Sequence, residues 1–221
     1  LPPADYAERD AQAVREHLLA LGFPPRNIVF LAGSGATKTG IEKFVETWLP
    51  QNTDENSRIF VYFSGHGAPE PKTGQAYLVP WDGDPKYLQA TGYPVSRLYE
   101  KLESLKSREV LVALDSCFSG AGGRSVLAKG TRPLVMLTDA GIGKLSKVVV
   151  LSASGQDEIT GADESKGHGL FTYWLLKGLN EKGGRGSARD IFEYLVPKVQ
   201  DAARMDNREQ TPRLQGRAET A

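Results

Sequence analysis

The chain has 221 residues, 27 basic and 27 acidic, and a formal net charge of zero. That balance leaves no global field to recruit nucleic acid or an anionic membrane, and no apolar run approaches the roughly 18 residues that span a bilayer. The length suits a single domain over residues 1–221, and the lone cysteine excludes an internal disulfide, which favours a reducing, cytoplasmic setting.

The N-terminal Leu1-Pro2-Pro3-Ala4-Asp5 is not a signal peptide. Ala7, Ala11, Val14, Leu18 and Leu21 recur at spacings of three and four, predicting a helix that Gly22, Pro24 and Pro25 stop. Residues 27–31 read as a short strand. Thr39 or Gly40 opens a second helix with the stripe Ile41, Phe44, Val45 and Trp48, ending at Pro50. The run 58–63 is a strand, 76–79 is extended, and a helix over 95–105 leads to a strand at 109–114. A further strand covers 147–151, followed by helices over 169–179 and 188–204. Strands alternating with helices predict an α/β fold, a mostly parallel central sheet with helices on both faces. Gly-rich stretches at 33–40, 120–130 and 183–187 read as surface loops.

Two strand ends carry the chemistry. The strand at 109–114 opens onto Asp115-Ser116-Cys117-Phe118-Ser119-Gly120, and the strand at 58–63 opens onto Ser64-Gly65-His66-Gly67. In parallel α/β sheets, sites are built at the carboxyl ends of strands. A thiol and an imidazole at two such ends suit nucleophilic catalysis, because the imidazole can take the thiol proton or hold the thiolate by charge. A lone cysteine is more often an inert buried hydrophobe. Cys117, after a strand, with Ser116 before it and Ser119 and Gly120 close behind, instead reads as part of an exposed turn. Of the other histidines, His17 on the first helix reads as a surface residue. His168 precedes a helix, which suits capping or loop packing.

The chain resembles the caspase-like cysteine peptidases, and within them the metacaspase and bacterial orthocaspase branch. The resemblance rests on Phe63-Ser64-Gly65-His66-Gly67, Tyr77-Leu78-Val79-Pro80-Trp81-Asp82, Asp115-Ser116-Cys117-Phe118-Ser119-Gly120 and Gly169-Leu170-Phe171-Thr172-Tyr173-Trp174-Leu175-Leu176, in the family's order. His66 lies 51 residues before Cys117, close to the caspase spacing. The resemblance implies a three-layer caspase-like fold and a Cys117–His66 dyad, with the amides of Gly67 and Cys117 stabilising the oxyanion. Asp115 returns to the face of the nucleophile two residues earlier on the strand. The family pattern has Asp here in metacaspases, where caspases that cut after aspartate have glutamine. A carboxylate at the base of a pocket favours a substrate with Arg or Lys before the cut. Ser64 matches a second pocket-lining position, and Asp5 and Asp157 are weaker candidates.

The resemblance also expects a strand before Leu1, at the centre of the sheet. A central gap would leave two rows of backbone groups unpaired. A separate N-terminal fragment of the same protein is one source of that strand, residues trimmed from the sequence are another, and an altered sheet edge is the third alternative. The basic residues Arg124 and Lys129, in the Gly-rich loop after Cys117, are candidate self-cleavage sites, as is the bond before Leu1. No cofactor is expected. Residues 32–39 lack both glycines a phosphate loop requires. Related metacaspases often use calcium, for which Asp82 and Asp84 are the candidate ligands, but two carboxylates are too few for a hard cation. The expected partner is a protein or peptide substrate, with neither nucleic acid nor membrane. The rival reading is a catalytically silent caspase-like module for binding or assembly. Both Cys117 and His66, which degenerate members usually lose, are present.

Overall fold

The structure, a computed structural model, describes residues 4–118, 145–155, 158 and 160–216. In chain order the elements are α1 (Ala7–Ala20), α2 (Lys38–Lys43), a π-helical turn (Phe44–Trp48), α3 (Leu49–Gln51), β1 (Arg58–Ser64), β2 (His66–Pro69), β3 (Ala76–Val79), α4 (Leu88–Thr91), β4 (Tyr93–Pro94) and α5 (Val95–Glu103). There follow β5 (Glu109–Asp115), β6 (Val148–Ser152), β7 (Ala162–Asp163), β8 (His168–Gly169), α6 (Leu170–Glu181), α7 (Ala188–Met205) and β9 (Arg213–Gln215).

The central sheet has the order β1-β5-β6-β9. The first three strands are parallel, and β9 closes the far edge antiparallel to β6. Because strand side chains alternate, the sheet needs cover on both faces. Ile59, Val61, Val110, Val112 and Val150 pack with Leu98 and Leu102 of α5 and with Val45. On the other face Phe60, Leu111, Ala113 and Leu151 pack with Phe171 and Leu175 of α6 and Ile191 and Leu195 of α7. The buried stripe of α5, Val95, Leu98, Tyr99 and Leu102, has helical spacing. A capping box starts α7: the Ser187 hydroxyl accepts from the Asp190 amide at 3.1 Å, and the Asp190 carboxylate accepts from the Ser187 amide at 2.9 Å.

Residues 76–79 are extended as expected, and form the middle strand of a separate antiparallel sheet, β2-β3-β4. Two sequence expectations are corrected. His17 is half-buried rather than a free surface residue, and burial lowers its imidazole pKa. The strand predicted over 27–31 is not formed. Pro25–Asn27 make a 3-10 turn, and although Ile28 and Ala32 keep extended dihedrals, no backbone hydrogen bond joins residues 29–31 to the sheet. A strand needs a ladder partner, and a cavity of about 530 Å³ lies along this segment and β1. The cavity is apolar, lined among others by Val14, Leu18, Phe30, Phe44 and Val61. Phe23, Val29 and Phe30, all on its wall, are among the exposed large hydrophobics of the protein.

Candidate active site

The parallel register of β1 and β5 sets Ser64 beside Asp115, the last residue of each strand. Beyond this pair the two chains stay in contact. The Gly65 amide donates to the Asp115 carbonyl at 3.3 Å, and Gly67 faces Ser116 and Phe118. A Cβ on Gly67 would stand 2.7 Å from the Ser116 hydroxyl and from the Phe118 ring, so only glycine fits this crossing. His66, one residue earlier, opens β2, paired with Val79, and is only 5% exposed. The sequence-predicted His66, Gly67, Ser64, Asp115 and Cys117 are thus carried by two adjoining strand ends.

Cys117 departs from the exposed turn expected of it, being 0% exposed. Thr160 covers the sulfur: its backbone N–H donates to Sγ at 2.7 Å, and its hydroxyl lies 2.7 Å from the same atom. Gln210, itself buried, fixes this covering segment. Its Oε1 accepts from the Gly161 amide at 2.8 Å, and its Nε2 donates to the Ala153 carbonyl at 3.0 Å. Neither Thr160 nor Gln210 carries a sequence signal, since each acts through contacts with residues distant in the chain.

Asp115 is fully buried, on the face of the sheet toward α6. Its Oδ2 accepts from the Thr172 hydroxyl at 2.6 Å, and that hydroxyl lies 2.6 Å from the Tyr62 hydroxyl. The Tyr62 pKa is raised well above its ordinary value, chiefly by burial and then by the charges of Asp115 and Asp10. The phenol therefore keeps its proton. Asp10 is a second fully buried carboxylate, whose Oδ1 pairs with His168 Nδ1 at 2.7 Å and whose Oδ2 accepts from the Gly169 amide at 3.1 Å. His168 thus has a packing role, as its position before a helix suggests, and ties β8 to α1.

The remaining candidates are spread out. Asp5 is exposed and lines, with Thr160 and Arg208, a cavity of about 1130 Å³ next to the covering segment. Asp157, Arg124 and Lys129 lie outside the described residues. Asp82 Oδ1 accepts from the Lys38 amide at 2.8 Å and Asp84 Oδ1 from the Lys86 amide at 2.9 Å. These carboxylates already hold loops, and among the described residues no group of three or more His, Cys, Asp or Glu could hold a metal ion. No described helix is long and apolar enough to cross a membrane.

Comparison with known proteins gives a consistent picture. The caspase domain family matches residues 2–220. A structural-genomics target protein from Geobacter sulfurreducens is similar in fold, with a TM-score of 0.67 and 19% identity over 95% of this chain and 83% of that one. Caspase-1 from Spodoptera frugiperda has a TM-score of 0.61 and 15% identity over 94% and 76%. Among curated proteins no sequence matches the chain.

Because this chain has one cysteine, alkylation reads its exposure directly. Thr160→Ala removes the hydroxyl from above Sγ and should speed carboxamidomethylation of Cys117 several-fold, followed by intact mass. An unchanged rate would show that the Thr160 hydroxyl does not control access to the sulfur.

Proposed function

Because the chain belongs to the caspase-domain family of cysteine peptidases, we propose that it is an endopeptidase that cleaves after Arg or Lys through an acyl-enzyme on Cys117. His66 takes the thiol proton, and the thiolate attacks the scissile carbonyl carbon. The amides of Gly67 and Cys117 receive the oxyanion. As the C–N bond breaks, His66 returns the proton to the leaving amine. Water, deprotonated by His66, then attacks the thioester and frees the acid, and the proton goes back to sulfur. For this to start, the sulfur must exchange its Thr160 contacts for the substrate. No cofactor enters the reaction.

The observation that carries the specificity is the buried carboxylate of Asp115, two residues before the nucleophile on the same strand end. A carboxylate in low dielectric favours a cation over a neutral or acidic side chain. Ser64, its register partner, extends the polar wall, with Asp5 and Asp157 as outer contributors. The aspartate at 115 supports a reading of the chain as nearer the metacaspase and orthocaspase branch than the caspases that cut after Asp.

Short fluorogenic peptides ending in Arg, Lys and Asp test this reading. Cys117→Ala and His66→Ala should each abolish cleavage of the Arg and Lys peptides, and the double variant should be little worse, since the two act as a unit. Asp115→Asn should lower kcat/KM for the basic peptides by the equivalent of about 2–5 kcal/mol. Efficient cleavage after Asp by the unmodified protein would overturn the specificity. Activity retained in Cys117→Ala would overturn the mechanism and leave the silent binding module as the better reading.

The edge of β1 supports a reading of the partner as well. The apolar cavity beside the open edge of β1 is suited to one further extended strand, which a separate N-terminal fragment of the same protein would supply. Co-expression of this chain with such a fragment should give a complex in which the β1 amides are protected from hydrogen exchange. Unchanged exchange at β1 would sink the assignment.

A protease preferring basic residues would also meet Arg124 and Lys129 in its own chain, or a bond before Leu1. Intact mass of active protein should show cuts at one or more of these places that Cys117→Ala lacks. Identical masses would remove self-processing.

A further inference from the structure

The buried polar groups behind Asp115 have a defined direction. The Thr172 hydroxyl has one proton, and it is donated to Asp115 Oδ2 at 2.6 Å. Its contact with Tyr62, also 2.6 Å, is then made through an oxygen lone pair, so the Tyr62 O–H is the donor. The Tyr62 hydroxyl retains its proton under the combined effect of burial and the neighbouring Asp115 and Asp10 charges. The result is a one-way chain, Tyr62 to Thr172 to Asp115, that spans β1, α6 and β5 and ends on a fully buried carboxylate.

We propose that Thr172 and Tyr62 are positioning residues that hold the Asp115 carboxylate ready for the cationic side chain of the substrate. This rests on the reading of Asp115 as the specificity residue. Thr172 lies in the first turn of α6, completely buried, where a threonine hydroxyl would otherwise turn back to its own backbone. Directed across to the sheet instead, it fixes one carboxylate oxygen by a charge-assisted hydrogen bond. Tyr62 in turn satisfies the threonine oxygen, which prevents the hydroxyl from rotating away. A carboxylate held in this way meets an incoming guanidinium or ammonium without reorganising. The chain touches Asp115 and not the reacting sulfur, so it acts on substrate binding.

The test compares Thr172→Val, Thr172→Ser and Tyr62→Phe with Asp115→Asn on Arg- and Lys-ended peptides. Thr172→Val keeps the shape and removes the donor, and should raise KM roughly ten- to a hundredfold while kcat changes little. Thr172→Ser should restore most of the loss, and Tyr62→Phe should raise KM several-fold. Cys117 alkylation should be unchanged in all of them. A fall in kcat with unchanged KM, or no rescue by serine, would overturn the positioning role. If Thr172→Val does not fold, Tyr62→Phe with unaltered KM overturns it alone. Asp115→Asn separates the two levels. If it leaves cleavage after Arg and Lys intact, the specificity reading fails and the proposal with it. If it impairs cleavage and Thr172→Val does not, only the positioning role is wrong.

Discussion

The parallel pairing of β1 with β5 is the constraint on which the site depends. Its register ends with Ser64 opposite Asp115, and the chain two residues beyond each of these strand ends supplies His66 and Cys117. A shift by one residue would turn every side chain of β1 to the opposite face. Phe60 and Tyr62 would exchange places with Val61 and Phe63, and the hydroxyl of Tyr62 would leave Thr172. Apolar packing on both faces therefore fixes the position of the polar chemistry. Glycine at 67 is the local complement, because the crossing with Ser116 and Phe118 leaves no space for a side chain.

Two buried carboxylates, Asp10 and Asp115, lie on the helix-covered face toward α6. Unpaired, either would be costly to bury. Asp10 is answered by His168 and the Gly169 amide, and it joins α1 to the start of α6. Asp115 is answered by Thr172 of the same helix. The first turn of α6 thus serves both, and the positive end of its dipole favours negative charge there. One structural contact and one site contact share a helix end, so substitutions in that turn couple stability to the geometry around Asp115.

The opposite condition holds at the outer edge of β1. Here the sheet stops at a parallel strand whose outer backbone groups meet no described strand, while Phe23, Val29 and Phe30 remain exposed beside it. Parallel strands normally lie inside a covered sheet, and edges are normally blunted by charge, proline or a bulge. The wall at this edge is mostly apolar, with Arg15, whose guanidinium lies over the Phe30 ring, and Arg58 as its charged members. Tyr62, where the hydrogen-bond chain behind Asp115 begins, belongs to this same edge strand.

The sequence by itself determined the helices with a continuous apolar stripe, α1, α5 and α7, and the strands β1, β5 and β6, because local periodicity and β-branched runs encode them. It also singled out the strand-end motifs carrying His66, Gly67, Asp115 and Cys117, because those residue types at strand ends form a local pattern. It did not determine whether residues 27–31 form a strand, since a strand exists only through a partner. Nor did it separate β3 from the central sheet, or find β9, for pairing is non-local. The cover of Thr160 on Cys117, the clamp of Gln210 and the direction of the Thr172 hydroxyl were decided only by tertiary structure. Each joins residues tens of positions apart, 43 for Thr160 and Cys117 and 57 for Thr172 and Asp115. Such contacts leave no local period to read, and they arise only when the packed sheet brings distant segments within hydrogen-bonding reach.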